Sequence, residues 1–261
     1  MVRCKICSAQ APLHARARLL GRYDVAYYRC SDCGFVQTEE PYWLEESYSG
    51  AIADSDIGLV NRNLRLALLS RSVIRVCFNA SGRFLDYAGG YGLLVRLMRD
   101  AGYDFQLYDR YCDNLFAKGF ASGEDDGGDY DLVTAFEVLE HMPDPLEEMG
   151  HLLARSRNIL FTTEILPACA PAPGDWWYFG LDHGQHVSLF TIDSLKVMAK
   201  KFSLHLYTNG ASVHLLTEKK LSPVIFNMAL LPPFSAIVNS VFRRPSLLTS
   251  DYAALRAKNN G

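Results

Sequence analysis

The spacing of apolar residues changes rhythm along the chain. In RLLGRYDVAYYRC, residues 18–30, Tyr and Val stand at strand-like density beyond a turn glycine, which predicts a short β-ribbon. From residue 59 the period lengthens. Leu59, Val60, Leu64, Leu66, Ala67, Leu68 and Leu69 recur at roughly helical spacing and predict an amphipathic helix. Apolar runs and helical patterns then alternate. RFLDYA, DFQLYD, YDLVTAFEVL and NILFTTE read as buried strands, and GLLVRLMRDAG and MPDPLEEMGHLLAR as helices, the second with its prolines at the start, where a missing N–H costs nothing. Strand and helix in this alternation predict a parallel α/β sheet covered on both faces. TIDSLKVMAKKF follows as a capped helix, and SLHLYTNGASVHLLTEKK as two strands around an Asn-Gly turn.

A chain of 261 residues that is 49% hydrophobic can bury one large core plus something small. No apolar run reaches the roughly 18 residues of a membrane helix, and MVRCKICSAQ lacks a secretory layout, so a cytoplasmic protein with no membrane span is expected. The formal charge of -3 gives no basic excess. Nucleic-acid binding needs several phosphates neutralised, so a small-molecule partner is the better expectation.

The seven cysteines divide by position. Cys4 and Cys7 form one C-x-x-C, Cys30 and Cys33 another, with 22 residues between the pairs. Two such knuckles brought together by a hairpin offer four thiolates, the tetrahedral shell that Zn2+ prefers. A closed four-sulfur site has no free position for water or substrate, so its expected role is structural. Cys77, Cys112 and Cys169 stand alone and read as buried apolar thiols.

The loop after the first strand of a parallel sheet is where a ligand binds. Here it is FLDYAGGYG, residues 84–92. A dinucleotide fingerprint needs a third glycine where Val95 stands, and a phosphate loop needs a Lys that is missing. The turn resembles instead the first motif of class I S-adenosylmethionine-dependent methyltransferases, with Asp86, Gly90 and Gly92 in place and Ala88 where the first glycine usually stands. Ala88 suits that place if its φ is negative; a positive φ would strain the turn. Asp109 closes the second strand, where the family has an acid for the ribose hydroxyls, and DYDLVTAFEVLEHMPDP is similar to the family's fourth-strand motif. The resemblance covers about residues 80–218. It implies a Rossmann-like seven-stranded methyltransferase sheet and S-adenosyl-L-methionine as cofactor. Asp86, Tyr87, Ala88, Gly89, Gly90, Gly92, Asp109, Phe136 and Glu137 would then lie against that cofactor.

Methyl transfer to a hydroxyl or activated carbon needs a base near the methyl. The candidates are His141, His183 and His186, the last two in WWYFGLDHGQHVSLFT, which is expected to cover the acceptor. A four-cysteine ribbon followed by this loop resembles the zinc-ribbon methyltransferases of deoxysugar C-methylation and surface-glycan gene clusters. By that resemblance His186 is the base and Tyr48, in EESYSG, the tyrosine near the ribbon. Gln185 stands where C-methylating members have Glu, and those members carry a further C-terminal domain, so O-methylation of a sugar or glycan precursor is equally open. The spacing of Glu137, Glu140 and His141 resembles ubiquinone-pathway O-methyltransferases, in which such groups are linked to a divalent cation. The aromatics Trp176 to Phe179 suit either stacking on the acceptor or packing on the sheet.

The expected organisation is a zinc ribbon over 1–44, a helical connection over 45–80, the methyltransferase domain over 81–219 and a helical extension over 220–261, in a monomer or homodimer. The apolar run from Leu221 to Phe242 is expected to cover the cofactor domain or a dimer interface. Two other functions stand beside the leading one. An rRNA base methyltransferase would use the ribbon, locally basic through Arg3, Lys5, Arg16, Arg18, Arg22 and Arg29, as an RNA grip, although the motif of base-amine methylation is missing after DLVTAF. A binding protein could retain the fold without turnover.

Overall fold

The computed structural model describes residues 2–48, 57–123 and 129–259. The end of EESYSG, part of the helical connection and the last two residues of the chain lie outside the described residues. Two compact units are formed, one from residues 1–53, 136–153 and 160–219, the other from 54–135, 154–159 and 220–261.

The first unit begins with β1 (Val2–Arg3) and β2 (Gln10–Ala11), then the hairpin of β3 (Leu13–Leu19) and β4 (Tyr23–Arg29), then β5 (Val36–Thr38) and the short α1 (Leu44–Ser47). The predicted ribbon is present. Its sheet runs β10-β5-β4-β3, and its fourth strand comes from far along the chain. That strand, β10 (Ser188–Leu189), pairs antiparallel with β5, Ser188 opposite Gln37 and Leu189 opposite Val36. Tyr27, Val36, Trp43, Tyr178, Phe179 and Leu189 share one core, every one of them buried. Burial of each such side chain stabilises by about 1.5–3 kcal/mol, so loop and ribbon fold as a single body. Helix α5 (Ile192–Lys201) starts from a capping box, in which the Thr191 hydroxyl accepts from Ser194 N–H and the Ser194 hydroxyl accepts from Thr191 N–H. The predicted Asn-Gly hairpin joins β11 (His205–Thr208) to β12 (Val213–Thr217), with Asn209 Oδ1 accepting the N–H groups of Ala211, Ser212 and Val213.

The second unit holds α2 (Leu59–Cys77), β6 (Arg83–Tyr87), α3 (Leu93–Asp100), β7 (Asp104–Tyr108) and most of β8 (Leu132–Phe136). Strand β6 pairs in parallel with both β7 and β8, as the alternating pattern predicts. Strand β8 leads on to α4 (Pro145–Leu153), and β9 (Asn158–Thr162) follows, buried along its whole length. The main sheet has the order β11-β12-β9-β8-β6-β7. It has six strands among the described residues, against the seven expected. Beside β7 there is also an isolated parallel bridge from Ala121 to Leu107.

Three C-terminal helices complete this unit: α6 (Pro223–Leu230), α7 (Pro232–Val241) and α8 (Leu248–Asn259). Both α6 and α7 pack on α2. The apolar stripe predicted for α2 is buried only at Ala67, beyond which the buried positions are Ser70, Ser72, Val73 and Ile74, while Val60, Leu64 and Leu68 stay exposed. Helix α8, within the helical extension expected over 220–261, is fastened by charge. Arg99 on α3 donates through Nε to Asp251 Oδ2 at 2.9 Å and through Nη2 to Oδ1 at 2.7 Å, and Arg96 reaches the same carboxylate at 3.0 Å. The Arg99 guanidinium is buried over the Phe120 ring, with Asp104 and the Phe105 carbonyl as further acceptors. Removing one partner of a buried bidentate pair leaves the other charge uncompensated. Asp251→Ala is therefore expected to lower stability by about 3 kcal/mol, read by urea unfolding; a change near zero would show that α8 docks without this clamp.

Candidate active site

In the second unit, β6 delivers the glycine turn. Asp86, at its end, is buried and accepts the Thr134 hydroxyl at 2.7 Å. A Cβ added at Gly89 would strike this carboxylate, so no side chain fits there. Gly90 N–H donates to Asp109 Oδ2 at 2.8 Å, while Oδ1 accepts from Tyr111 N–H and Cys112 N–H, each at 2.8 Å. The turn and the acid that closes β7 are thus one hydrogen-bonded unit. A Cβ at Gly90 would meet nothing within 4 Å, so the turn opens onto free space beside a rigidly held carboxylate. These are the features a nucleoside needs, and the residues fit one. Gly92 has φ +82° at the start of α3. Ala88 answers the condition set by the sequence: its φ is +53°, the strained alternative, at a cost of roughly 1–2 kcal/mol relative to a right-handed conformer. Its N–H donates to the Tyr108 carbonyl at 2.7 Å, which holds it there.

The first unit brings together all four residues expected near the acceptor. Tyr48 Oη lies 2.9 Å from His141 Nδ1, the His141 and His186 rings are 4.9 Å apart, and those of His183 and His186 4.8 Å. The hydrogen bonds fix two tautomers. His186 Nδ1 donates to the Tyr178 carbonyl at 2.6 Å, which leaves its Nε2 with a lone pair. His183 Nδ1 accepts from Gln185 N–H at 3.1 Å, so the neutral ring carries its proton on Nε2. Of these two, only His186 has an open basic nitrogen. Burial pushes its pKa down to about 4, and burial together with the nearby His186 and His183 holds His141 well below the usual histidine range.

Beneath this cluster lies Glu140, fully buried, with Oε1 accepting the Tyr178 hydroxyl at 2.7 Å. Its Oε2 has no hydrogen-bond partner. Burial first, and the Glu137 charge second, raise its pKa well above the ordinary carboxylate value. The expected grouping of Glu137, Glu140 and His141 is not what forms. Glu137 turns to Thr162, whose hydroxyl donates to its carboxylate at 2.6 Å, and His186 takes its place beside Glu140 and His141, with ligand-capable atoms within 4.8 Å of one another. Two imidazoles and a carboxylate suit a divalent transition metal as well as proton transfer. Sequence alone missed Tyr178 and Thr162 as organisers, since nothing in an aromatic run or a strand threonine marks a hydrogen bond to a distant acid. The aromatic run divides: Tyr178 and Phe179 are fully buried, and Trp177 is 74% exposed.

The four N-terminal cysteines converge as the spacing predicts. Cys4 Sγ is 3.6 Å from Cys33 Sγ, Cys7 Sγ is 3.3 Å from Cys30 Sγ, and all four sulfurs lie within 4.8 Å of one another. A sulfur tetrahedron around zinc has edges of about 3.8 Å, given the 2.3 Å bond, so the set fits. Backbone N–H groups of Ile6 and Cys7 point at Cys4 Sγ, and those of Asp32 and Cys33 at Cys30 Sγ. Such donors stabilise thiolates. Of the single cysteines, Cys169 is exposed on a loop, against expectation, and Cys77 and Cys112 are half-buried.

Burial is also the first cause that raises the Asp86 pKa from 3.8 to about 7, ahead of the opposing Thr134 hydrogen bond and the Asp109 charge. The folded protein therefore holds this proton more tightly than the unfolded chain, and the stability it contributes is complete below pH 3.8 and is lost as pH rises toward about 7. Asp86→Asn keeps an acceptor for Thr134 and removes the charge. The stability of the variant relative to the parent is expected to increase by about 2 kcal/mol between pH 5 and pH 8 in urea unfolding without ligand; a difference independent of pH would contradict a protonated Asp86.

A sequence model described as a methyltransferase domain matches residues 60–208. No curated protein matches the chain. Among solved structures, an O-methyltransferase family protein from Burkholderia thailandensis is 15% identical with a TM-score of 0.44, the match covering 69% of this chain and 68% of that one. Magnesium protoporphyrin IX methyltransferase from Synechocystis PCC 6803 with bound SAH is 14% identical with a TM-score of 0.41, covering 68% and 95%. An SAH-bound methyltransferase of calicheamicin biosynthesis is 17% identical with a TM-score of 0.44, covering 67% and 61%. The matched domain takes in more than half of the chain, from α2 to β11, and the chain belongs to the methyltransferase family, the S-adenosylmethionine-dependent class that its motifs resemble.

Proposed function

We propose that the chain methylates a hydroxyl of a small metabolite, with a sugar, nucleotide sugar or glycan precursor as the acceptor class. The carrying observation is the cluster of Tyr48, His141, His183 and His186, in which His186 Nε2 alone has its lone pair defined by the opposite nitrogen's bond. S-adenosylmethionine supplies the methyl group when bound. The turn from Asp86 to Gly92 and the Asp109 carboxylate would hold its nucleoside, with Tyr87, Phe136 and Glu137 as further contacts by resemblance. His186 would accept the acceptor's proton at Nε2, and Tyr48 would orient His141 beside it. Gln185 donates to the Ser47 carbonyl at 2.7 Å, so at the position where C-methylating relatives carry Glu this chain has a neutral amide that holds the loop. That favours oxygen over carbon. On this reading 1–44 is the ribbon, held by zinc on the four cysteines, 45–80 the connection, 81–219 the catalytic domain and 220–261 an extension.

The RNA reading is weakened by the ribbon's own contacts. Lys5 Nζ donates to the Pro143 carbonyl at 2.7 Å, Arg22 pairs with Glu46, and Arg3 donates to the Ser8 carbonyl. Half of the six basic side chains that would grip phosphate are engaged within the protein.

Two substitutions separate binding from chemistry. Asp109→Ala is expected to abolish S-adenosylmethionine binding in calorimetry, and retained micromolar affinity would remove the cofactor site from Asp109. His186→Ala is expected to keep that binding and to lose labelled-methyl transfer into an extract of small metabolites by about 100-fold or more; an unchanged rate would exclude it as the base. Zinc removal tests the ribbon's role. Cys30→Ser with Cys33→Ser is expected to lose turnover while S-adenosylmethionine still binds, because β10 belongs to the ribbon sheet and the Asp86 turn does not. Unimpaired turnover in a protein shown to hold no zinc would make the ribbon dispensable.

A further inference from the structure

From Leu221 to Phe242 there are 22 residues without one Asp, Glu, Lys or Arg. They form α6 and α7, which turn Phe226, Ala229, Ser235 and Val238 inward and leave a broad apolar surface outside. Val224 and Val241 are each 67% exposed and Ile237 62%, with Ile225, Met228 and Phe242 also exposed. On α2, against which both helices pack, Val60, Leu64 and Leu68 form a further exposed stripe at one-turn intervals. Isolated exposed apolar side chains are ordinary, but six along two adjoining short helices, with three more on the helix they pack against, exceed that background.

The charges that immediately flank α6 and α7 in the sequence are basic. Lys219 and Lys220 precede the uncharged segment and Arg243 and Arg244 follow it, with Glu218 the nearest acid before them. Helix α2 carries Arg62, Arg65, Arg71 and Arg75 and no acid at all. A two-fold contact between copies would set these cations against themselves. A layer of anionic headgroups over hydrocarbon complements both features, because the apolar side chains enter the acyl boundary and the long basic ones reach back to the phosphates. The bend between the two helices favours one mode. No single helix among the described residues is long and apolar enough to cross a membrane, and α6 and α7 meet at 86° across the Leu231–Pro232 break. Two helices of 8 and 10 residues at that angle suit lying in an interface rather than crossing it.

We propose that α6, α7 and the exposed stripe of α2 are a docking surface for an anionic lipid bilayer, on which the protein sits without spanning it. Such a surface would favour an acceptor carried on a membrane lipid.

The test is co-sedimentation of the full-length, zinc-loaded protein with vesicles of phosphatidylcholine alone and of phosphatidylcholine with phosphatidylglycerol. Binding to the anionic vesicles is expected, weaker in neutral ones and weakened by salt. Ile237→Asp with Val241→Asp is expected to lower the bound fraction at least about tenfold with S-adenosylmethionine affinity unchanged. Lys220→Gln with Arg243→Gln touches only exposed charges and should lower binding to anionic vesicles alone. Failure to bind anionic vesicles, or binding that neither variant alters, overturns the proposal. So does a dimer in sedimentation velocity that Ile237→Asp dissociates while vesicles leave the parent protein in the supernatant.

Discussion

The pairing of Ser188 with Gln37 and of Leu189 with Val36 is the constraint on which the histidine loop depends. It makes the loop that carries His183 and His186 a strand of the ribbon sheet. Three further bonds reinforce it: Thr38 N–H to the Val187 carbonyl, Trp43 Nε1 to the Gly184 carbonyl, and the Thr191 hydroxyl to the Cys33 carbonyl. The last joins the loop to a cysteine knuckle directly. A small cysteine-rich module usually has too little core to fold alone, and here the missing core is supplied by Tyr178, Phe179 and Leu189 from the loop. Ribbon and loop are therefore one cooperative object.

The same loop crosses over Glu140. Val187 N–H donates to the Glu140 carbonyl at 2.8 Å, Ser188 Oγ to the Met142 carbonyl at 2.8 Å, and the Tyr178 hydroxyl to the Glu140 carboxyl. Backbone bonds on both sides of His186 leave its ring little freedom. The loop is therefore fixed from two directions, by the ribbon and by the turn after β8.

Much of this was legible in the sequence, for identifiable reasons. The strands from β6 to β9 are short apolar runs closed by Gly, Pro or Asp, and the knuckles are marked by spacing that few other structures require. What could not be read depends on partners distant in the chain. Strand β10 is two residues long, too short for any period. Helix α8 has a weakly apolar face and is held through Asp251 to an arginine 152 positions away. The stripe on α2 was visible, but periodicity says only that a face is apolar, not that another element covers it. Glu140 in VLEHM resembles any acid opening a helix, until Tyr178 closes over it.

Burial gives the histidine cluster its chemical character. A base held at about pKa 4 is weak, which at first argues against His186 as proton acceptor. The objection holds only for a proton removed before the methyl moves. An alcohol is a feeble acid in its ground state, but as the new C–O bond forms, the oxygen becomes an oxonium and its proton strongly acidic, so even a weak base takes it downhill. A weak base has the further property of remaining unprotonated across the physiological range. Burial acts on all three members of the group toward the neutral form, raising the pKa of Glu140 and lowering those of His141 and His186. A proton arriving on His186 would create a cation in a buried place, and Glu140, with a ligand-capable oxygen within 4.8 Å of the ring nitrogen, is the acidic group beside it.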